Sequence, residues 1–361
     1  MRARQLFAAN CFIAFIALAT TIHAPSQSFP APKTELLDAK HKEQTSGLEM
    51  HGNELVIRTG VGTPTSINFL SFSMDGTLLA AAKDFGRVVI WDLSSNKVAA
   101  VLNTEQGIVQ ALAISPDNQT IATAGGDAAI KIWRIADAKL LRSLPLQSSN
   151  VRGLSFVAGP PAIIVWLNEG STYVLDPETG QHRADFPGEW GPVLSLDGLT
   201  LMTASKLKFI FRNVGDWQAR EIARPTSSAV PMSLDTKAGI FIYGDSFDRY
   251  SFVAFDIRAG ASLPNPRMGK LPNYNQSAGG FASLGAGDRI VAGHSDGRLW
   301  LWNFDSGKIC TSDVLYSESG ALSPNGKILV GAIDNGFLAT AKVQTGVLLW
   351  DMAELRKKCQ L

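Results

Sequence analysis

The side chains that ordinarily do chemistry are few in this chain and poorly grouped. Five histidines occur, His23, His41, His51, His182 and His294, and no two have metal-ligand spacing such as H-E-x-x-H. The three cysteines, Cys11, Cys310 and Cys359, form no Cys-x-x-Cys pair, so the ligand density of a zinc site is missing. Neither a G-x-S-x-G nucleophile elbow nor a phosphate loop occurs. The glycine-dense GGFASLGAG at 279–287 does not follow a strand and open a helix, and so fails the context that dinucleotide binding requires. Acid pairs such as Asp245 and Asp248 have the types for general acid and base work, but capping of a solvated turn explains them as well. No catalytic, cofactor-binding or metal-ligating residue is assigned, and no cofactor is expected.

The cysteines have one other use. Met1–Ala24 carries Arg2 and Arg4, an apolar run from Leu6 to Ile22, and small residues at Ala17, Ala19 and Ala24. That three-part pattern is a secretory signal peptide, residues 1–24. The run is interrupted by Asn10 and falls short of the ~20 apolar residues of a spanning helix. A cleaved signal and a periplasmic or secreted protein without a stable membrane span are expected, with tethering by an uncleaved signal anchor as the alternative. Cys11 lacks the preceding small residue of a lipid-attachment site. Cys310 and Cys359 then remain, and an oxidising compartment permits a disulfide between them. It would staple the tail 353–361, a short-helix candidate, to the rest of the protein. Two free thiols are the other outcome, since the Cα atoms must come within about 7 Å.

Composition narrows the partners. The chain has 361 residues, 45% hydrophobic and 18% charged, with a formal net charge of +1. No basic cluster stands out, which excludes the counterion-release binding of nucleic acid and argues against a polybasic membrane-surface role. Residues 25–52 are rich in Pro, Ser, Lys and Glu without apolar periodicity, as in a flexible tether.

The elements that must position any site are repeats. INFLSFSMDGTLLAAAKDFGRVVIWDL (67–93) is matched by VQALAISPDNQTIATAGGDAAIKIWRI (109–135), with Trp91 and Trp133 in equivalent places 42 positions apart. Four short strands per unit at that period describe a β-propeller blade. The copies resemble the WD40 repeat, with Ile90-Trp91-Asp92 where that family has its Trp-Asp pair. Aligning third strands on the tryptophan position gives Trp91, Trp133, Leu175, Phe211, Phe255, Trp302 and Ala341. A first-to-second strand turn recurs at Ser73, Ser115, Ser195, Ser233 and Ser323, each followed two residues later by Asp or Asn. These residues bond locally or accept positive φ. The expected architecture is all-β: a seven-bladed β-propeller of four-stranded antiparallel blades over 53–361, preceded by the signal and the tether. Glu54–Arg58 and Val347–Met352 both read as outer strands of the last blade, and the former is expected to join that blade.

The resemblance also implies a buried set of Asp, Ser/Thr, His and Trp in each complete repeat. Asp127 and Asp296 hold the aspartate slot, six before their tryptophans. The His slot reads Thr63 in blade 1 and Glu105 in blade 2, and the Ser/Thr slot reads Gly125 in blade 2 and His294 in blade 6. No blade is expected to carry the full set.

The longest departure from the repeat is ASLPNPRMGKLPNYNQSAGG, 261–280, between blades 5 and 6. Long loops on a rigid scaffold are where binding concentrates, and Trp, Tyr and Arg dominate contact energies. Arg267, Lys270 and Tyr274 from this loop, with Trp190, Arg249 and Tyr250 from the same face, are the candidate partner-binding residues. The expected function is a non-catalytic scaffold that binds a protein or peptide through this face. The alternative is an enzyme or a small-ligand or cation-binding propeller using its central channel, lined by Asp84, Asp127, Asp296 and Asp334, as in quinoprotein or lactonase propellers.

Overall fold

Local hydrogen bonding builds the repeated turn. In the first blade Ser73 Oγ donates to Asp75 Oδ1 (2.6 Å) and accepts from the Leu78 amide (2.9 Å), closing the reversal on itself. The same pair of bonds recurs at Ser115, Ser195 and Ser323. The four serines are buried, because each turn tucks its hydroxyl beneath the strands that it joins. In blade 5 the strand register puts Asp235, not Ser233, at this place, and both side chains are buried.

The computed structural model describes residues 27–28, 48–51, 54–58, 67–245, 251–267, 281–295, 298–311, 320–333 and 346–361. Seven sheets form, each running from an inner first strand to an outer fourth one. The inner strands are Ile67–Phe72, Val109–Ile114, Val151–Phe156, Trp190–Leu194, Ala229–Asp235, Phe281–Leu284 and Gly320–Leu322. One buried apolar cluster fills each junction between neighbouring blades. Strands such as Leu78–Lys83 are buried along their whole length, because blades pack on both of their faces. The ring is closed by the cluster that joins Ile67, Leu79 and Trp91 of blade 1 to Val330, Val347 and Leu349 of blade 7. A single blade buries too little apolar surface to fold alone, and the ring supplies the rest.

Blade 7 corrects the sequence alignment. Gly346–Asp351 is its third strand, and Trp350 pairs with Leu329 just as Trp91 pairs with Leu79. Trp350, not Ala341, therefore takes the tryptophan place; Ala341 lies outside the described residues. Glu54–Arg58 pairs antiparallel with Gly346–Leu349 and is the outer strand, so the two segments do not compete for one position. Leu48–His51 adds a fifth strand beyond it. Of the stretch 25–52 expected as a tether, the described pieces are on strands: Leu48–His51 here, and Gln27–Ser28 running parallel to Cys310–Thr311 at the edge of blade 6. Residues 1–24 lie outside the described residues.

The tail forms helix α1, Met352–Cys359, capped by Asp351, whose side chain accepts from the amides of Ala353 and Glu354. Met352, Leu355 and Cys359 pack into the junction of blades 6 and 7. Cys359 is bonded to Cys310, with the Cα atoms 5.8 Å apart, so of the two outcomes open in the sequence the disulfide is the one found.

Candidate functional site

Antiparallel connectivity puts the second-to-third turns and the blade-to-blade loops on one face, called here the loop face. The other turns lie on the opposite, turn face. What holds the loop face together is clearest in blade 2. Trp133 Nε1 donates to Thr123 Oγ1 (3.0 Å), and Thr123 donates in turn to Gln106 Oε1 (2.5 Å). Gln106 Nε2 then donates to Asp127 Oδ1 (2.8 Å) and to the Ala129 carbonyl (2.9 Å). This is the four-member network of a complete repeat with glutamine in place of its histidine. Its slots are Gln106, not Glu105, and Thr123, not Gly125. A glutamine amide offers an acceptor oxygen and a donor nitrogen with two N–H groups at a reach close to that of a neutral imidazole, so it bridges the same two neighbours. Gly125 instead makes room for the loop, since a Cβ there would sit 2.7 Å from the carbonyl oxygens of Gln106 and Ile108. Asp127 also pairs with Lys131 (3.0 Å).

Blade 4 uses the equivalent slots with charge. Arg212 pairs across to Leu201, which makes it, and not Phe211, the occupant of the tryptophan place. Its guanidinium grips Glu189 through two bonds of 2.6 and 2.7 Å, and Thr203 Oγ1 donates to Glu189 at 2.5 Å. Both charged side chains are about nine-tenths buried, and Arg212 also stacks on Phe186, 4.1 Å from the ring centre. Blade 1 has neither solution. Ala81 stands at the Thr123 position by strand register, and the buried Trp91 indole N–H finds no acceptor.

Above these networks the loop face exposes large apolar groups. Phe85 is 83% exposed, Leu207 71% and Ile108 57%. Phe85 also has φ 63°, a left-handed conformation that costs an aromatic residue about 1 kcal/mol or more. Gly86 lies against Gln106 and Gly107, so Phe85 and Ile108 project from adjoining loops at the junction of blades 1 and 2. Sequence reasoning missed this pair. The available signal was a large apolar residue beside glycine in a turn: Phe85-Gly86 and Gly107-Ile108.

The candidates chosen from the sequence fare differently. Trp190 is the first residue of the inner strand of blade 4, packed into the cluster between blades 4 and 5, with the Arg224 guanidinium 5.2 Å from its ring. Its ring is part-buried in that cluster. Ala261–Arg267 forms the outer strand of blade 5, so the connecting loop is 268–280 and not 261–280. Arg267 ends that strand; Arg249, Tyr250, Lys270 and Tyr274 lie outside the described residues.

On the turn face, bonds between neighbouring turns lace six of the seven junctions. Asn118 reaches Asp75 (2.8 Å), Thr236 reaches Asp197 (2.9 Å) and the Gly287 amide reaches Asp235 (2.7 Å). Asn325 donates to the Asp75 carbonyl (3.2 Å), while Ala158 bonds Gly198 and Ala286 bonds Pro324. Burial tends to raise the Asp75 carboxyl, but hydrogen bonds from Ser73, Thr77 and Asn118 outweigh it and hold it below the ordinary value. The Met74 thioether of blade 1 reaches across the axis. A Cβ on Gly198 of blade 4 would lie 2.6 Å from its Cε and 2.6 Å from Ala158 Cβ of blade 3. Met74 thus spans the channel at this end. Of the acids expected to line the channel, Asp127 is instead engaged by Gln106 and Lys131. The side chain of Asp84, and Asp296 and Asp334, are not among the described groups. Among the described residues no three His, Cys, Asp or Glu side chains are placed to hold a metal ion.

The fold and these networks define a class: a seven-bladed β-propeller with WD40-type slots. Comparison with known proteins agrees. Residues 70–169 match the model of the anaphase-promoting complex subunit 4 WD40 domain. The chain is 21% identical over 327 residues to a guanine nucleotide-binding protein subunit beta of Oryza sativa subsp. indica, covering 83% of this chain and 84% of that protein. A shorter match, 34% over 83 residues, is to the retinoblastoma-binding-like protein E of Dictyostelium discoideum, and spans 22% of this chain and 16% of that protein's length. The β-propeller domain of Myceliophteria thermophila Cps50 (Swd1) superposes with a TM-score of 0.63 at 15% identity, covering 82% of this chain and 98% of that domain. The matches support the WD40-repeat family, whose propellers generally act as protein-interaction scaffolds.

Proposed function

We propose that this protein is an exported, non-catalytic scaffold that binds a protein or peptide partner through its loop face, with Phe85 and Ile108 as the central contacts. The observation that carries the reading is Phe85: an aromatic ring 83% exposed, on backbone of φ 63°. Strain and exposure together are a cost to the free protein that a partner would relieve by covering the ring. Its neighbour Ile108 widens the apolar spot, and Glu105 supplies an exposed acid at the rim. Arg267 ends the outer strand of blade 5; Arg249, Tyr250, Lys270 and Tyr274, the other candidates from the sequence, lie outside the described residues. The matching family model is named for a subunit of the anaphase-promoting complex and one relative as a subunit of a guanine nucleotide-binding protein, which is in keeping with a scaffold role.

Export rests on the amino-terminal pattern and on the Cys310–Cys359 bond, which an oxidising compartment favours. Sequencing the amino terminus of the protein recovered from fractionated cells tests it; an intact Met1 in the cytosolic fraction would count against export.

The binding reading is tested by affinity capture from the native host with wild type, with the pair Phe85→Ala and Ile108→Ala, and with a deletion of 268–279. Loss of a partner in the double variant is expected, and a partial loss on deletion. Identical partner sets for all three would remove the loop face from the account.

A further inference from the structure

Basic groups scattered in the chain gather at one rim of the folded protein. Lys308 lies in the third-to-fourth turn of blade 6, on the turn face, and its Nζ donates to the Gln360 carbonyl at the end of α1 (3.1 Å). Lys357 and Lys358 occupy the exposed last turn of that helix. Lys327, from the first-to-second turn of blade 7, and Arg356 line a cavity of about 440 Å³ between the helix and the turns of blades 6 and 7. Of the described acids here two are neutralised by arginine, and the carboxylates of Asp351 and Glu354 offset only part of the lysine charge. Asp288 takes Arg356, Asp351 caps the helix, and Asp305 holds Arg289 in a bidentate pair. A surplus of positive charge is left on a protein whose net charge is only +1. The Cys359–Cys310 bond and the buried Met352 and Leu355 fix the helix against the propeller, so the charges are presented on a rigid element.

A second observation points the same way. Gln27–Ser28 runs parallel to Cys310–Thr311, so the chain preceding Gln27 departs toward residue 309, at the turn-face end of blade 6. Only four residues, 23–26, separate Gln27 from Ile22, the end of the apolar run, at most about 17 Å of extended chain. Where that run is kept as an uncleaved signal anchor, it is tied within this reach of the turn-face end of blade 6.

We infer that the turn-face rim of blades 6 and 7, through Lys308, Lys327, Lys357 and Lys358, docks against an anionic lipid surface. The phosphate headgroups supply the negative charge that these side chains lack within the protein. The loop face, on the opposite side of the ring, then points away from the bilayer. This inference is independent of which partner the loop face takes.

The test is partition of the full chain onto phosphatidylglycerol-containing vesicles and onto pure phosphatidylcholine vesicles. Wild type is expected to prefer the anionic vesicles by at least about tenfold, with the preference lost near 0.5 M salt, where charges are screened within a few ångströms. Each lysine near such a surface contributes about fivefold, so changing all four to Gln is expected to abolish the preference. A pair of Lys357→Glu and Lys358→Glu is expected to reverse it. The disulfide and the thermal melt report that each variant is folded. Equal partition of wild type onto both vesicles, or an unchanged preference in the folded Gln variant, overturns the inference. So would binding of polyglutamate without any vesicle preference, which would instead assign the rim to an acidic polypeptide.

Discussion

The two faces of the propeller solve opposite problems. On the turn face the turns hold one another: six junctions are laced by bonds from one turn to the next, and Met74 crosses the axis to rest on Gly198. On the loop face the order lies underneath, in buried networks, while the top carries Phe85, Ile108 and Leu207 into solvent. A turn face so fully bonded internally has little left to offer on its axis. The loop face is built on a rigid base yet leaves its apolar groups uncovered. The difference separates residues kept for folding from residues available for binding, and substitutions on each side should separate in the same way.

The largest effect is expected beneath the loop face. Arg212→Ala strips the counterion from buried Glu189 and should destabilise the protein by about 3–5 kcal/mol in denaturant unfolding. A matched Glu189→Gln and Arg212→Leu pair should recover much of that loss, since the uncompensated charge, and not the missing bond, is what costs. Next comes Gly198→Val on the turn face. It forces a branched side chain into φ 71° and into Ala158 and Met74, for about 3 kcal/mol. Thr123→Val leaves the Trp133 indole and the Gln106 amide without their shared partner, a loss of about 1–3 kcal/mol. Phe85→Gly, by contrast, should leave the melting temperature unchanged or raise it slightly, by up to about 1 kcal/mol of relieved strain, while abolishing capture of the partner. A large loss of stability there would mean that Phe85 is a folding residue and would erase the contrast between the faces.

The smallest effect is in the pH response. The Asp75 carboxyl is held below its ordinary value of 3.8 by its hydrogen bonds. Its contribution to stability is therefore complete above that pH and is lost as pH falls through the lowered folded value. Asp75→Asn should flatten this acid limb of the melting profile, and an identical limb in the variant would show that the turn bonds do not depend on the charge.

Much of the architecture was legible because its signals are local. A Ser-x-Asp/Asn turn closes on itself within six residues, so blades 1, 2, 4 and 7 announce their own register. The family slots were harder, because they are joined through space. Gln106 is hard to see because it lies one residue beyond the expected slot, and because a glutamine stands where histidine is usual. Arg212 is hidden beside Phe211, an apolar residue that fits the tryptophan place by type but not by register. Trp350 is displaced in the alignment by the long interval between the second and third strands of blade 7, which spans 334–345. The binding surface was the least legible. Exposure of Phe85 depends on which way a turn points, and neither periodicity nor composition carries that direction.

The central claim, that partners are taken on the loop face, is tested most directly by site-specific photocrosslinking in the native host. A photoreactive side chain is placed at Phe85, at Ile108, or at Leu199, which is 46% exposed on the turn face. A shared protein or peptide adduct is predicted from positions 85 and 108 and none from 199. An adduct from 199 with nothing captured at 85 or 108 would contradict the claim.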